Sequence, residues 1–437
     1  MNSSEGRGSK ALLDIKLLRE EPAAIKQNLE KRNLAEKLPL VDEAAELDRT
    51  WRKQKTEVEE LRHKQNQLTV EVATLKKAGK PIEGKLKEIK DLPERIKRIE
   101  SEAVEKYAKL QYIMMSLPNI LHDSVPKGTD EKDNIVVATW GKIPKFGFTP
   151  KHHIDILEAL GMVDVERAAK VAGARMFFLK GDMVKLEHSI MRYAIDSVSA
   201  KGFTPVEPPF LMNRKSYEGV TDIASFGPVI YKIEGEDLYL IATSEHPLVA
   251  MHSDEIIEGS ALPIKYCGFS PCFRVEAGAH GKDTKGIFRT HQFYKVEQVV
   301  FSRPEDSWSL HEELIANARE IFQNLGLPHR VVTLCSGDTG MVSAKTYDLE
   351  AWLPAQEKFR EMVSASNVTD FQARRLLIRY RDKTNDPTRL LHTLNSTAVT
   401  TRALVAIIEN YQQEDGSVAV PDVLVPYMGG LERITSR

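Results

Sequence analysis

Residues 272–297 read CFRVEAGAHGKDTKGIFRTHQFYKVE, and the rest of the chain is organised around them. Two runs of mixed apolar and polar residues flank a loop rich in glycine and lysine. Residues 269–276 are expected as one strand and 287–301 as a longer one, with Phe293, Val296, Val299 and Val300 as its apolar positions. Gly278, Gly281 and Gly286 mark the turn between them. Such a hairpin presents Arg274, Glu276, Arg289 and Glu297 from adjacent strands. Alternation along a strand puts Arg274 and Glu276 on one face. Two guanidinium groups and two carboxylates on one sheet face suit a substrate with phosphates at one end and an amine at the other. The plainer alternative is an exposed hairpin with ordinary cross-strand ion pairs.

Composition narrows the class. The 437 residues are 42% hydrophobic and 28% charged, values of a globular protein with room for two or three domains. A net charge of -2 gives no global attraction to nucleic acid, so any such contact needs a local basic patch. Cys267, Cys272 and Cys335 show no metal-ligand spacing and are too few for a disulfide framework, which points to a reducing compartment such as the cytoplasm. No apolar run approaches the roughly 18–20 residues of a membrane span, so no membrane partner is expected. The first ten residues, MNSSEGRGSK, lack the apolar segment of a signal peptide and read as a disordered tail. No G-x-x-x-x-G-K-[ST] loop and no G-x-G-x-x-G after a strand is present.

Towards the N-terminus, residues 12–31 read as a short helix and its approach, with Asp14 and Glu21 as caps and Pro22 at an early helical position. From about residue 41, Leu47, Trp51, Val58, Leu61, Leu68, Val72 and Leu75 fall on alternating three- and four-residue steps if Gln54 and Gln65 take the polar slots, a heptad seam. Residues 78–81, AGKP, break the helix. A second series then runs through Leu86, Ile89, Ile96, Ile99, Ala103, Tyr107, Leu110, Met114 and Leu117. Two such helices of about 35 residues fold back as an antiparallel coiled coil, an arm of roughly 50 Å. Pro93 is expected to kink or restart the second helix. Residues 76–98, near the tip, carry nine Lys or Arg against four Asp or Glu. A solvated helical face is the ordinary explanation of such a run. Residues 118–150, punctuated by Pro118, Pro126 and Gly128, read as a linker between an N-terminal domain, 1–117, and a second domain, 151–437.

In the second domain, residues 155–160 and 165–171 read as short helices and 185–200 as a stronger one, with Leu186, Ile190, Tyr193, Ala194 and Val198 on one side. The proline-bearing run 203–209, FTPVEPP, suits a sheet edge or an interface. At 239–245, YLIATSE, a strand runs into Thr243, Ser244 and Glu245 where a helix begins. These residues suit an N-cap, and equally a hydroxyl and a carboxylate able to hold an ammonium group. Residues 307–325 form an amphipathic helix, followed by strands at 330–333 and 347–352 and the run 359–366, FREMVSAS. In 391–411, small and hydroxyl residues lead into a helix whose first turn carries Arg402. A cation there opposes the helix dipole, and a bound anion offsets the cost.

The F-R-x-E start and the F-R-T-H-Q-F-x-K-V-E end of 272–297 resemble the second signature motif of class II aminoacyl-tRNA synthetases, most closely the seryl-tRNA synthetase family. The helix at 185–200 with its following strand and prolines resembles the first motif, residues 391–411 the third, and 118–120 and 420–430 the family's linker and closing stretch. The resemblance implies an α+β fold: an antiparallel-sheet catalytic domain behind a helical coiled-coil arm, forming a homodimer through the first motif. It implies ATP-dependent activation of L-serine as seryl-adenylate and transfer to tRNA(Ser), and to tRNA(Sec) where one is present. Carried over to this sequence, Arg274, Arg402 and Glu361 are catalytic. Serine falls to Thr243, Ser244, Glu245, Arg274 and Glu297 with Ser396 or Thr397; the chain runs one residue short of the family pattern between Asn395 and Arg402, which leaves both open, with Thr397 favoured. ATP falls to Arg274, Val275, Glu276, Arg289, Thr290, Phe293, Glu361, Met362, Val363, Ser364 and Arg402, with Mg²⁺ on Glu361 and Ser364. The tRNA falls to Lys76, Lys77, Lys85 and Lys87 on the arm, where the family grips the long variable arm of tRNA, and to Lys282, Asp283 and Lys285 in the loop.

Overall fold

The computed structural model describes residues 15–222, 227–276 and 286–436. The expected cap Asp14 and the loop residues Lys282, Asp283 and Lys285 lie outside them. The chain divides into two compact units, one of residues 11–118 and one that takes in Asn119–Arg437.

The first unit opens with α1 (Ile15–Glu20) and α2 (Pro22–Lys31), the latter entered through Pro22 at its first turn with no side-chain cap from Glu21. Two long helices follow, α3 (Leu38–Lys77, 40 residues) and α4 (Glu83–Ser116, 34 residues). Gly79, at φ 69°, closes α3 in the left-handed conformation that glycine adopts without strain. The helices run antiparallel, since ion pairs join Glu57 to Arg95, Arg62 to Glu100 and Glu71 to Lys85. Val58, Leu61 and Leu68 pack against Leu92, Ile96 and Ile99. The expected seam weakens at Leu47 and Trp51, which are half-buried. Asp48 is buried there instead, held by Arg19 at 2.7 Å and Arg52 at 2.9 Å. Pro93 does not interrupt α4. Its ring is exposed, and packing of Leu92 and Ile96 on either side maintains the helix where one backbone donor is missing.

The second unit is built on an eight-stranded sheet. Its strands are β1 (Ile135–Trp140), β2 (Thr204–Val206), β3 (Ile264–Phe273), β4 (Gln292–Ser302), β5 (His329–Thr333), β6 (Lys345–Leu353), β7 (Lys358–Thr369) and β8 (His392–Thr400). They lie in the order β1-β5-β6-β7-β8-β4-β3-β2, antiparallel throughout except for the edge pair β2/β3. Among the described residues the α-helices of this unit are α5 (His153–Ala159), α6 (Val165–Ala172), α7 (Asp182–Ser199), α8 (Arg214–Val220), α9 (Glu245–Ala250), α10 (Ser307–Asn324), α11 (Phe371–Leu376) and α12 (Thr401–Asn410). Apolar faces of α7, α10 and α12 cover one side of the sheet, where Leu186, Leu314 and Ile407 meet Val296, Val300, Leu349 and Ala365. Removing these side chains from water is the main favourable contribution to the unit.

Three expectations need correction. The segment 118–150 is not a free linker: β1 pairs with β5, and the Asn119 amide donates to the carbonyls of Val342 and Val368 at 3.0 and 2.7 Å. As an edge strand with mostly exposed side chains, β1 lacks the alternation that betrays a half-buried strand. Residues 392–400 form a central strand between β7 and β4, where the sequence suggested only an approach to a helix. Finally, β3 stops at Phe273 and β4 begins at Gln292. Arg274 and Glu276 therefore do not share a strand face, and Glu276 sits at φ 53°. The backbone leaves the ladder because the Val275 amide bonds across to the Val229 carbonyl at 2.8 Å.

Candidate active site

Strand alternation builds a cavity of about 710 Å³ on the side of the sheet opposite the one that α7, α10 and α12 cover. Along β4, Val296 and Val300 enter the core, so Phe293, Lys295 and Glu297 face the cavity. Asn395 and Thr397 of β8, Ser364 and Ser366 of β7, and Thr346 and Asp348 of β6 do the same. Two β-bulges adjust this pattern. Leu349 pairs with Val363 but Glu350 with Glu361, so Met362 is extra and Glu361 turns to the face of Ser364. Thr397 pairs with Glu297 but Val399 with Val296, which brings Thr400 round to the cavity as well.

One end of the cavity is a buried polar cluster. Glu297 is paired with Lys295 at 2.6 Å and accepts a hydrogen bond from Thr397 Oγ1 at 3.1 Å. Glu245 opens α9 and accepts from Gln372 Nε2 of α11 at 2.9 Å. Loss of water around it, with Glu297 nearby, pushes its carboxyl pKa up to about 7. Burial pulls neighbouring His246 down to about 3 and keeps it neutral. The other end gathers guanidinium groups. Arg274 lies 5.2 Å from the Phe293 ring centre, and its Nε donates to the Ala242 carbonyl at 3.4 Å. Arg289 pairs with Glu276 at 2.7 Å. Arg402 pairs with Glu361 at 3.2 Å and lies 4.9 Å above the Phe288 ring. Asp348 is raised well above the usual carboxylate range, first by burial and then by Glu361, and its Oδ1 has no hydrogen-bond partner.

A site that sets arginines at one end and a carboxylate–hydroxyl cluster at the other can seat a polyanion beside a small amino compound. Comparison with known proteins accords with this. Residues 230–411 match the tRNA synthetase class II core domain (G, H, P, S and T), and residues 12–121 match the seryl-tRNA synthetase N-terminal domain. A serine–tRNA ligase of Thermococcus onnurineus is 51% identical, with 96% of each chain covered. This chain belongs to the seryl-tRNA synthetase family. A crystal structure of seryl-tRNA synthetase from Pyrococcus horikoshii complexed with ATP superposes with a TM-score of 0.94 at 49% identity, covering 98% of this chain and all of that one. The cytoplasmic serine–tRNA ligase of Naegleria fowleri in complex with AMP gives 0.87 at 38%, over 98% and 99%.

Most residues expected for a member of the seryl-tRNA synthetase family meet in this cavity: Thr243, Glu245, Arg274, Glu276, Arg289, Thr290, Phe293, Glu297, Glu361, Met362, Ser364, Thr397 and Arg402 all line it. Four do not. Ser244 is turned away, with its hydroxyl 3.4 Å from the Gly268 carbonyl. Val275 has committed its amide to Val229. Val363 points into the core. Ser396 is buried on the opposite side of β8, and its hydroxyl donates to the Thr397 carbonyl at 3.0 Å, so of the two candidates Thr397 is the one that faces the cavity. Of the two cap candidates, Ser244 makes no side-chain cap hydrogen bond to α9, whereas Thr243 Oγ1 accepts the backbone N–H of Glu245 at 3.2 Å. On the arm, Lys76, Lys77 and Lys87 are exposed, whereas Lys85 is half-buried and paired with Glu71 at 2.6 Å. Lys295, Asp348, Asn395, Phe288 and Gln372 were missed. Lys295 was legible, since it alternates with Phe293 and Glu297. The others depend on which strand or helix lies alongside.

Proposed function

We propose that this protein activates L-serine with ATP, as seryl-adenylate, and transfers the seryl group to tRNA(Ser). The observation that carries the proposal is the shared cavity: three arginines from separate segments at one end, and Glu245, Glu297 and Thr397 at the other. Attack of the serine carboxylate on the α-phosphate brings two anions together, so positive charge must converge where they meet. Arg274, whose planar fork suits phosphate oxygens, takes that place. Arg289 and Arg402 hold the triphosphate tail, exchanging Glu276 and Glu361 for it. Phe293 offers its ring to adenine, with Glu276 and the Thr290 backbone at the polar edge. Glu245 and Glu297 bind the ammonium and hydroxyl of serine, helped by Thr243 and Thr397. A site that bonds the hydroxyl rejects alanine, because its own buried polar groups would go unpaired.

The donors also fit a divalent cation: Asp348 has a buried, unpartnered oxygen crowded by Glu361, with Ser364 opposite it on β7. Glu361, Ser364 and Asp348 would hold Mg²⁺, which when bound supplies charge to phosphate oxygens. The basic tip of the arm would grip tRNA phosphates, with little sequence readout. Three free, buried cysteines accord with a reducing cytoplasm, and among the described residues no helix is long and apolar enough to cross a membrane.

ATP–pyrophosphate exchange with each amino acid in turn tests the proposal. Exchange with serine, and less than a hundredth as much with alanine or threonine, is expected. Exchange with another amino acid and none with serine overturns it.

A further inference from the structure

Behind the arginine end of the cavity lies a buried pair that the scheme above does not use. His153, at the start of α5, and Glu409, near the end of α12, are both fully buried, and His153 Nδ1 lies 2.8 Å from Glu409 Oε1. The same carboxylate accepts the backbone N–H of His153 at 3.2 Å, and its other oxygen accepts that of Ala355 at 3.2 Å, just ahead of β7. The Glu409 carboxylate fixes the tautomer: Nδ1 carries the proton and Nε2 is free to accept. What it accepts is the backbone N–H of Ile287, at 3.1 Å.

Ile287 belongs to the substrate-facing segment 286–290, whose residues from Ile287 to Thr290 line the cavity. Its neighbour Phe288 has two guanidinium groups near its ring, Arg360 at 4.4 Å and Arg402 at 4.9 Å, and Arg289 follows. Gly286 sits at φ 92°, and a Cβ there would fall 2.2 Å from His153 Nε2, so the chain can pass this close only as glycine. Arg402 and Glu409 are seven residues apart on one helix, two turns, and therefore lie on the same side of α12. One rigid element thus presents Arg402 to the cavity and, through Glu409 and His153, holds the backbone that carries Phe288 and Arg289.

We propose that His153 and Glu409 are a positioning pair that fixes segment 286–290 in register with Arg402, and so sets the spacing of the arginines that receive the triphosphate. The proposal rests on the adenylate-forming reading of the cavity. A different use can be weighed against it. His152, His153 and Glu409 offer ligand atoms within 4.8 Å of one another, the spacing of a metal site. Both ring nitrogens of His153 are already engaged, so the ring cannot ligate a cation without breaking the tether, and Glu409 alone keeps a spare lone pair, on the oxygen that accepts from Ala355.

Two isosteric changes separate the ring's functions. In His153→Gln the side-chain oxygen reaches the place of Nε2 and keeps the acceptor for Ile287. In His153→Asn the amide nitrogen keeps the donor to Glu409 but the acceptor is lost. Measured by serine-dependent pyrophosphate exchange, H153N should raise the KM for ATP about tenfold, the loss of roughly one net hydrogen bond, and leave the KM for serine within twofold. H153Q should stay within threefold of the parent in both. Amide hydrogen exchange should be faster over residues 286–291 in H153N than in H153Q. Equal behaviour of the two variants, equal change in both KM values, or zinc bound stoichiometrically by the parent and lost in H153N overturns the proposal. If H153N does not fold, Glu409→Gln, which keeps the shape and one acceptor oxygen, is read by the same two measurements. A parent without serine-dependent exchange would remove the functional reading, while hydrogen exchange would still report on the tether.

Discussion

Glu245 shows how a single carboxylate acquires a pH-dependent role. Its pKa of about 7 arises first from desolvation and next from Glu297. A raised carboxyl pKa means that the folded state favours the protonated form. Ionisation therefore costs stability as pH climbs from the ordinary carboxylate range to about 7, and no more above it. Serine's ammonium prefers the charged form. The KM for serine is expected to fall as pH rises from 6 to 8, by up to roughly tenfold per unit below 7. In Glu245→Gln it should be higher and flat over that range, as steady-state exchange assays at fixed ATP would reveal. Thr397 is the companion case. Its hydroxyl donates to Glu297 at 3.1 Å, so Thr397→Val, of nearly the same shape, leaves a buried carboxylate one donor short. A loss of about 1–3 kcal/mol in transition-state stabilisation is expected, read as a drop of roughly five- to 150-fold in kcat/KM for serine.

Among the elements, the two-helix arm separates RNA affinity from chemistry. Replacing Lys76, Lys77 and Lys87 together by alanine should raise the KM for tRNA roughly tenfold, make aminoacylation less salt-dependent, and leave pyrophosphate exchange unchanged. Lys85→Ala should do much less, because Lys85 is already engaged by Glu71. Equal loss of charging and exchange would contradict a separate role for the arm. The arm's own packing is testable with Leu61→Ala, a change inside the seam at a position 8% exposed. It should cost about 2–4 kcal/mol, seen as earlier loss of helical circular dichroism on heating.

At the scale of the whole molecule, the first-motif elements bear on assembly. Helix α7 and the edge strand β2 are the elements whose first-motif resemblance implies a homodimer, and among the described residues β2 pairs on one side alone. We expect sedimentation at twice the chain mass. Arg192→Glu on the exposed face of α7 should shift the protein towards the monomer and lower exchange in parallel. A monomer with full activity would count against a homodimer.

Much of this architecture was legible because it depends on local periodicity. Heptad spacing predicted the paired helices from Val58 and Leu61 against Ile96 and Ile99, and alternation put Phe293 and Glu297 on one face. Residues 272–297 were enough to mark the family, yet the shared strand face assigned to Arg274 and Glu276 was wrong. Arg274 and Glu276 lie beyond the end of β3, and the strand holding Thr397 was hidden by its small, hydroxyl-rich composition. Which residues face the cavity turned on features that no local pattern carries. A bulge at Met362 turns Glu361 towards it, another at Ala398 brings Thr400 round beside Thr397, and distant partners such as Gln372, Asp348 and His153 are delivered by other elements. Periodicity is a property of neighbours along the chain and can be read from them. Side-chain direction near a bulge, and the pairing of buried polar groups, depend on which strand or helix packs alongside, and that is settled only when the sheet assembles.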